Sequence, residues 1–436
     1  MALLHITRLS ELISQSVSAV CNEYRTAGQD LPVLHSTNVG PFDAPEKTSE
    51  TLQTAIKTIE AACAQLCATI ANPGHVITNK VYNYFEPACL RVATEAKISD
   101  LLLDKPEGVH VGELGAKSNR DPDKLSRILR ALATNHVYTE VSPNVFANNR
   151  LSMKLLSSDP VSGLVEHMSD EAMKSTAVLA DQVADPKAGF SVQVEDTAFY
   201  KAHGMSVFEM YAKDKLRAER FNQAMVGWAQ VTGRGMVPKI YPWADLPKGT
   251  TVVDVGGGNG HAVLDIIKAF PHLKVIVQDT PAVIADALKF WQKENPDAIT
   301  KGQAILQPVN FLEEPPVSDG DIYYLRHVVH DWSFDMAINI LSNVRRAMQP
   351  NDRLLIHEFV PQPIVDGGTA KAPEPLLPNY GAALKRLYFQ DLNMMQFFYS
   401  KERTLDEFMN MGDTAGFEFV KLWDGGEAGI MEFIPK

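Results

Sequence analysis

Nowhere does this chain carry an apolar run approaching the roughly 18 residues that span a bilayer, so no membrane partner is expected. Its start, MALLHITRLSELISQ, has neither the basic opening nor the apolar core of a secretion signal. Cysteine is scarce: there are four (Cys21, Cys63, Cys67 and Cys89), all in the N-terminal quarter. Cys63 and Cys67 stand four apart in helix-like text, where packing accounts for them better than a disulfide or a metal site. A reducing, cytoplasmic setting is expected. Positive charge is also short: 41 Lys and Arg face 53 Asp and Glu, a formal net charge of −12. Phosphate backbones are held by a basic face, so that balance argues against a nucleic-acid partner.

At 436 residues the chain exceeds one average domain. The text divides into an N-terminal helical part (1–150), a helical connection (151–237) and an α/β part (238–436). Leu9, Leu12, Ile13, Val17 and Val20 lie on one face of a first helix, and Leu52, Ile56, Ile59, Cys63, Leu66 and Ile70 on one face of a second. Between them, residues 27–47 are polar and rich in proline and glycine, an extended loop. Such stripes bury either within one chain or against a second subunit. From Asn83 to Ala147 the pattern is three helices and a hairpin around Ser142-Pro143-Asn144, a winged-helix shape. Its would-be recognition helix carries Lys124, Arg127 and Arg130, but acidic neighbours offset them.

The most informative stretch is TVVDVGGGNGHAVLDIIKAFPHLKVIVQD, residues 251–279. Thr251 to Val255 lacks polar alternation, as suits a strand covered on both faces in a parallel sheet. Glycines 256, 257, 258 and 260 permit a sharp turn and close approach of a ligand to the main chain. A helix and a second strand come next, ending in Asp279, where a carboxylate can accept from both hydroxyls of a ribose. A dinucleotide turn would read GxGxxG and seat a pyrophosphate. Here Asp254 precedes the glycines and would repel one, yet it would suit the amino-acid end of S-adenosylmethionine. The expected fold is therefore α/β, with a doubly wound, Rossmann-like domain.

With DVGGGNG, YYLRHVVHDWSFD (323–335), FQDLNMMQFFYSKERTLDEF (389–408) and AGFEFVKL (415–422) in this order, the chain resembles the S-adenosylmethionine-dependent O-methyltransferases of the plant caffeate and fungal secondary-metabolite type. The resemblance implies that the winged-helix-like N-terminal part is a homodimerisation domain. It implies that Asp254, the Gly256–Gly257–Gly258 turn, Asp279, Asn310, Phe311, Arg326 and Trp332 hold the cofactor. It makes His330 the general base, with Glu358 and Glu402 as the carboxylates that orient its ring, and no metal. VFEMY (207–211) and RFNQAM (220–225) match the family's substrate wall. His167, Phe208, Met225, Met394 and Met395 are accordingly candidate pocket residues for a small aromatic acceptor.

Three departures stand out. Asn310 replaces the family's usual Asp, Phe334 replaces an acidic residue, and the link from Pro361 to Gln390 is long, either a lid or a simple insertion. Two functions are consistent with the text: methyl transfer to a phenolic or enolic hydroxyl, or a pericyclic cyclisation that keeps the cofactor intact. For phenol acceptors (pKa near ~10), a histidine of pKa near ~6.5 is the natural proton acceptor.

Overall fold

The computed structural model describes residues 2–365, 371–426 and 428–436. Two compact units emerge, one of Met1–Ser191, Glu195–Val231 and Ile364–Ala383, the other of Val192–Val194, Thr232–Pro363 and Leu384–Lys436.

The first unit opens with helix Ala2–Thr26, which packs on helix Glu50–Ile70. Ser49 caps the second, its hydroxyl accepting from the Leu52 N–H at 3.1 Å. The buried line on that helix is Leu52, Ala55, Thr58, Ala61 and Ala62, not the whole stripe expected from spacing. Small alanines let Leu9 and Leu12 of the first helix approach closely, while Ile56, Cys63 and Ile70 face outward. A helix at Pro73–Tyr82, unexpected from the sequence, comes next. The winged-helix pattern then appears as helices Phe85–Glu95, Val111–Ser118 and Pro122–Thr134. Its sheet has three strands: β1 (Val109–His110), β2 (Thr139–Ser142) and β3 (Val145–Ala147), in the order β1-β3-β2. On the would-be recognition helix, Arg130 forks onto Glu140 at 2.9 and 3.1 Å, spending its charge within the chain.

The long link after Pro361 is partly placed, residues 366–370 lying outside the described set. Leu376 and Tyr380 join Leu9, Leu12, Ala61 and Ala62 in one apolar cluster. Gln65 donates to the Pro375 carbonyl at 2.7 Å and accepts from the Leu377 N–H at 3.3 Å. These residues thus form a strap on the N-terminal helical hairpin.

The second unit is built on a sheet of seven strands among the described residues: β4 (Thr251–Val255), β5 (Lys274–Asp279), β6 (Ala304–Pro308), β7 (Ile322–Arg326), β8 (Arg353–Phe359), β9 (Phe417–Asp424) and β10 (Ala428–Pro435). Their order is β6-β5-β4-β7-β8-β10-β9. The first five run parallel and the last two pair antiparallel. Apolar clusters cover both faces, one centred on Val253, Tyr323, Leu325 and Leu354, the other on Val252, Val275, Tyr324 and Leu355. That two-sided burial is why β4 and β7 read as unbroken apolar runs. Strand order reverses between β4 and β7, and at such a switch point the carboxyl ends of the strands open a crevice for a ligand.

Candidate active site

Asp254 lies on β4, 2% exposed, in a row of valines. Burial pushes its carboxyl up to about 7, Arg326 opposing and Asp279 adding to the rise. Among the described residues its Oδ2 has no hydrogen-bond partner, a costly state for a buried acceptor unless a ligand completes it. The turn after it explains two of its glycines. Gly256 takes φ 71°, and a Cβ there would stand 2.9 Å from Val328 Cγ2. A Cβ on Gly257 would occupy the space of the Asp254 carboxylate itself. Asp279, ending β5, accepts from the Gly258 N–H at 2.9 Å and from the Thr280 N–H at 2.7 Å. Burial raises its pKa, and those two N–H groups restrain the rise. Its Oδ2, which meets the Gly258 N–H, retains a lone pair for a further donor. Asn310, after β6, uses its Oδ1 to accept from the Leu312 N–H at 3.3 Å, while Phe311 meets Trp332 edge-on with centroids 6.4 Å apart. The carboxyl ends of β4, β5, β6 and β7 thereby bring Asp254, the glycine turn, Asp279, Asn310, Arg326 and Trp332 into one unit.

After β7 the chain bends through His327 (φ 53°) into a single helical turn, Val329–Asp331, that carries His330. His330 is 6% exposed. Its Nδ1 lies 2.8 Å from Glu402 Oε1, whereas Glu358 Oε2 is 3.7 Å away. Of the two expected orienting carboxylates, Glu402 is within hydrogen-bond distance of the ring, and Glu358 stands farther off with other contacts. Its Oε1 accepts from the N–H groups of Val328, Val329 and His330 at 3.0, 2.9 and 3.4 Å, and Oε2 faces His327 Nδ1 at 3.3 Å. Burial alone would lower the His330 pKa, but Glu402, then Glu358 and Asp331, outweigh it and hold it well above 6.5. Asp331, whose Oδ1 is 3.5 Å from His330 Nε2, is itself pushed to about 6 by burial. Burial also raises the pKa of Glu402, with the His330 charge and hydrogen bond opposing the rise.

Residues around Glu402 lock the loop in place, and the sequence alone did not single them out. Arg403, 2% exposed, donates to the carbonyls of Val329 and Trp332 at 2.8 and 2.6 Å. Ser400 donates to the carbonyls of His330 and Trp332. The only signal for either was adjacency to Glu402. His327, His330 and Glu358 place ligand atoms within 4.8 Å of one another, a spacing that would also suit a metal ion. Hydrogen bonding accounts for that closeness: His327 is committed to Glu358, and His330 to Glu402.

The acceptor-side candidates fall in both units. Met394 is buried and Met395 half-buried on helix Lys385–Phe398 of the second unit. In the first unit His167 is buried, Met225 half-buried and Phe208 59% exposed. His167 heads a charged network that the sequence did not reveal. A π-helical turn, Met168–Ala172, lets the adjacent Asp170 and Glu171 both turn inward. Glu171 Oε2 is 3.0 Å from His167 Nδ1, and Arg220 pairs with both carboxylates. Tyr211 stacks on Phe221 with centroids 4.5 Å apart.

Known proteins share this architecture. Residues 177–418 match the O-methyltransferase domain, and residues 80–158 the O-methyltransferase dimerisation domain. The chain is 49% identical to 3-O-methyltransferase 2 of Phanerochaete chrysosporium, covering 98% of this chain and 97% of that protein. It is 30% identical to 4-O-methyltransferase 1 of the same organism, covering 94% of each. A solved structure described as a pericyclic reaction enzyme shares the fold, with a TM-score of 0.71 at 21% identity over 90% of this chain and 96% of that one.

Proposed function

This chain belongs to the O-methyltransferase family, and from that premise we propose that it methylates a phenolic or enolic hydroxyl of a small secondary metabolite with His330 as general base. S-adenosylmethionine supplies a methyl carbon on a sulfonium, open to in-line displacement by the acceptor oxygen. The residues at the carboxyl ends of β4 to β7 suit that cofactor. Asp254, with its unpartnered oxygen, would hold the ammonium end, and the Gly256–Gly258 turn leaves the main chain open beside it. Asp279 would accept from the ribose hydroxyls. Asn310 would accept from the adenine amino group through its carbonyl oxygen, without charge assistance. Phe311 and Trp332 would flank the adenine, and Arg326 moderates the Asp254 charge.

The observation that carries the reading is the His330 Nδ1–Glu402 hydrogen bond of 2.8 Å. It fixes the tautomer and leaves Nε2 to take the acceptor's proton. A raised pKa makes the base stronger toward a phenol. His167, Phe208, Met225, Met394 and Met395 remain the residues assigned to acceptor recognition. We assign residues 1–150 to dimerisation, 151–237 to the helical connection and 238–436 to cofactor binding, in a cytoplasmic homodimer.

The test tracks cofactor and acceptor together by mass spectrometry, with a panel of mono- and dihydroxybenzenes. S-adenosylhomocysteine should form in step with methylated product, and His330→Ala should lower kcat by about 10²–10⁴-fold with little change in cofactor affinity. Turnover of an acceptor with the cofactor unconsumed would overturn the reading in favour of a cyclase.

A further inference from the structure

We propose that His327 is a positioning residue for the base: its imidazole pins the Glu358 carboxylate that gathers the loop carrying His330. The inference rests on the reading of His330 as the base. Glu358 is fully buried, and a single oxygen of it collects three successive N–H groups, from Val328, Val329 and His330. One oxygen can serve three donors only while the carboxylate plane is held. The hold is the contact of Oε2 with His327 Nδ1 at 3.3 Å.

Loss of that contact would reach the base directly. The same Oε2 stands 3.7 Å from His330 Nδ1, the atom that Glu402 now holds at 2.8 Å. A buried carboxylate oxygen stripped of its donor seeks the next one. Glu358 would then draw His330 Nδ1 from Glu402 and turn the ring that must present Nε2 to the acceptor. His327 is also the surface on which that ring rests. The two imidazoles stack with centroids 5.3 Å apart and planes 30° from parallel, and Phe359 stacks on His327 in turn with centroids 5.0 Å apart.

The backbone agrees. His327 sits at φ 53°, a left-handed conformation uncommon outside glycine and asparagine, and its N–H donates to the His357 carbonyl at 3.2 Å. Burial, then the Arg326 and His330 charges, depress its pKa well below 6.5. The tautomer with its proton on Nδ1 is the one that can donate to Glu358 Oε2, and Nε2 has no hydrogen-bond partner among the described residues.

His327→Gly and His327→Asn test the idea, because both residues accept the left-handed bend while only asparagine offers a donor near Nδ1. In the full-length protein with hydroxybenzene acceptors, His327→Gly should lose about tenfold or more in kcat, with acceptor KM and S-adenosylhomocysteine affinity within about twofold. His327→Asn should recover to within about threefold of wild type. Nitrogen-15 NMR of the His330 ring, which needs no acceptor, should show shifts displaced in the glycine variant and restored in the asparagine variant. Wild-type kcat and unshifted His330 nitrogens in a folded His327→Gly protein would overturn the proposal. So would inactive His327→Asn with a wild-type melting temperature. If His330→Ala itself keeps full activity, the base assignment fails instead, which separates the two.

Discussion

A base for a phenol must take a proton that leaves near pH ~10, yet be empty when the acceptor arrives. Glu402, Glu358 and Asp331 hold His330 well above 6.5, so at neutral pH much of it is protonated before the reaction begins. As the proposed base, His330 works only as the neutral imidazole. The rate kcat/KM is therefore expected to fall as pH drops, with an apparent pKa above 6.5, and Glu402→Gln should move that limb to lower pH while slowing the reaction. A limb that stays in place in Glu402→Gln would remove Glu402 from the role. Linkage gives the opposite sign for stability: a raised histidine pKa contributes stability below about pH 6.5 that is lost as pH rises through the folded value. Asp254 works the other way for binding. With its carboxyl near 7 in the free protein, only its ionised form can pair with an ammonium. Cofactor affinity should rise between about pH 6 and about pH 8, and Asp254→Asn should flatten the dependence at weaker affinity, as read by calorimetry. Asp279→Ala should weaken binding at least tenfold at either pH, since paired hydrogen bonds to a ribose contribute roughly 1.5–3 kcal/mol.

Among the elements, those written in local pattern were legible and those made by distant contacts were not. Valines 252, 253 and 255, then four glycines, then a helix and Asp279, are enough to place β4, its turn and β5, because each comes from burial on two faces or from φ. His330 and Glu402 lie 72 positions apart, and only the family resemblance brought them together before the structure did. Glu358 was expected beside the His330 ring, but its contacts with three backbone N–H groups and with His327 were not legible, since nothing in LLIHE tells which donors an oxygen will meet. The two-residue β1, the helix Pro73–Tyr82 and the inward Asp170–Glu171 pair carried no period to read. Nor did the strap at Leu376 and Tyr380, whose place depends on a hairpin more than 300 residues earlier. The segment Ser400–Arg403 shows how such contacts govern the site: Arg403 binds two carbonyls of the His330 loop from a buried position. Arg403→Met should destabilise the protein by roughly 1–3 kcal/mol in denaturant unfolding, the cost of leaving buried carbonyls unpaired, and should slow catalysis. Unchanged stability would show that the loop is held without it.

At the scale of the whole molecule, the N-terminal helices have more apolar surface than one chain uses. Helix Glu50–Ile70 turns leucine and alanines inward to the Leu9 helix, leaving Ile70 62% exposed. Ile77 on the next helix is 61% exposed, and Tyr82, Tyr84 and Phe85 are exposed beside it in sequence. Large apolar side chains concentrated in this way are costly in water, each contributing about 1.5–3 kcal/mol when buried. The dimerisation domain recognised over residues 80–158 takes in Tyr82, Tyr84 and Phe85 of this row, and Ile70 and Ile77 lie just before it. A second copy of the chain is the partner that would cover it. The protein should sediment as a dimer at micromolar concentration, and the double change Ile70→Glu with Ile77→Glu should shift it toward monomer. Because both positions are exposed within the chain, its fold should survive, with circular dichroism unchanged. A protein that is monomeric before the change, or equally dimeric after it, would place the interface elsewhere or nowhere.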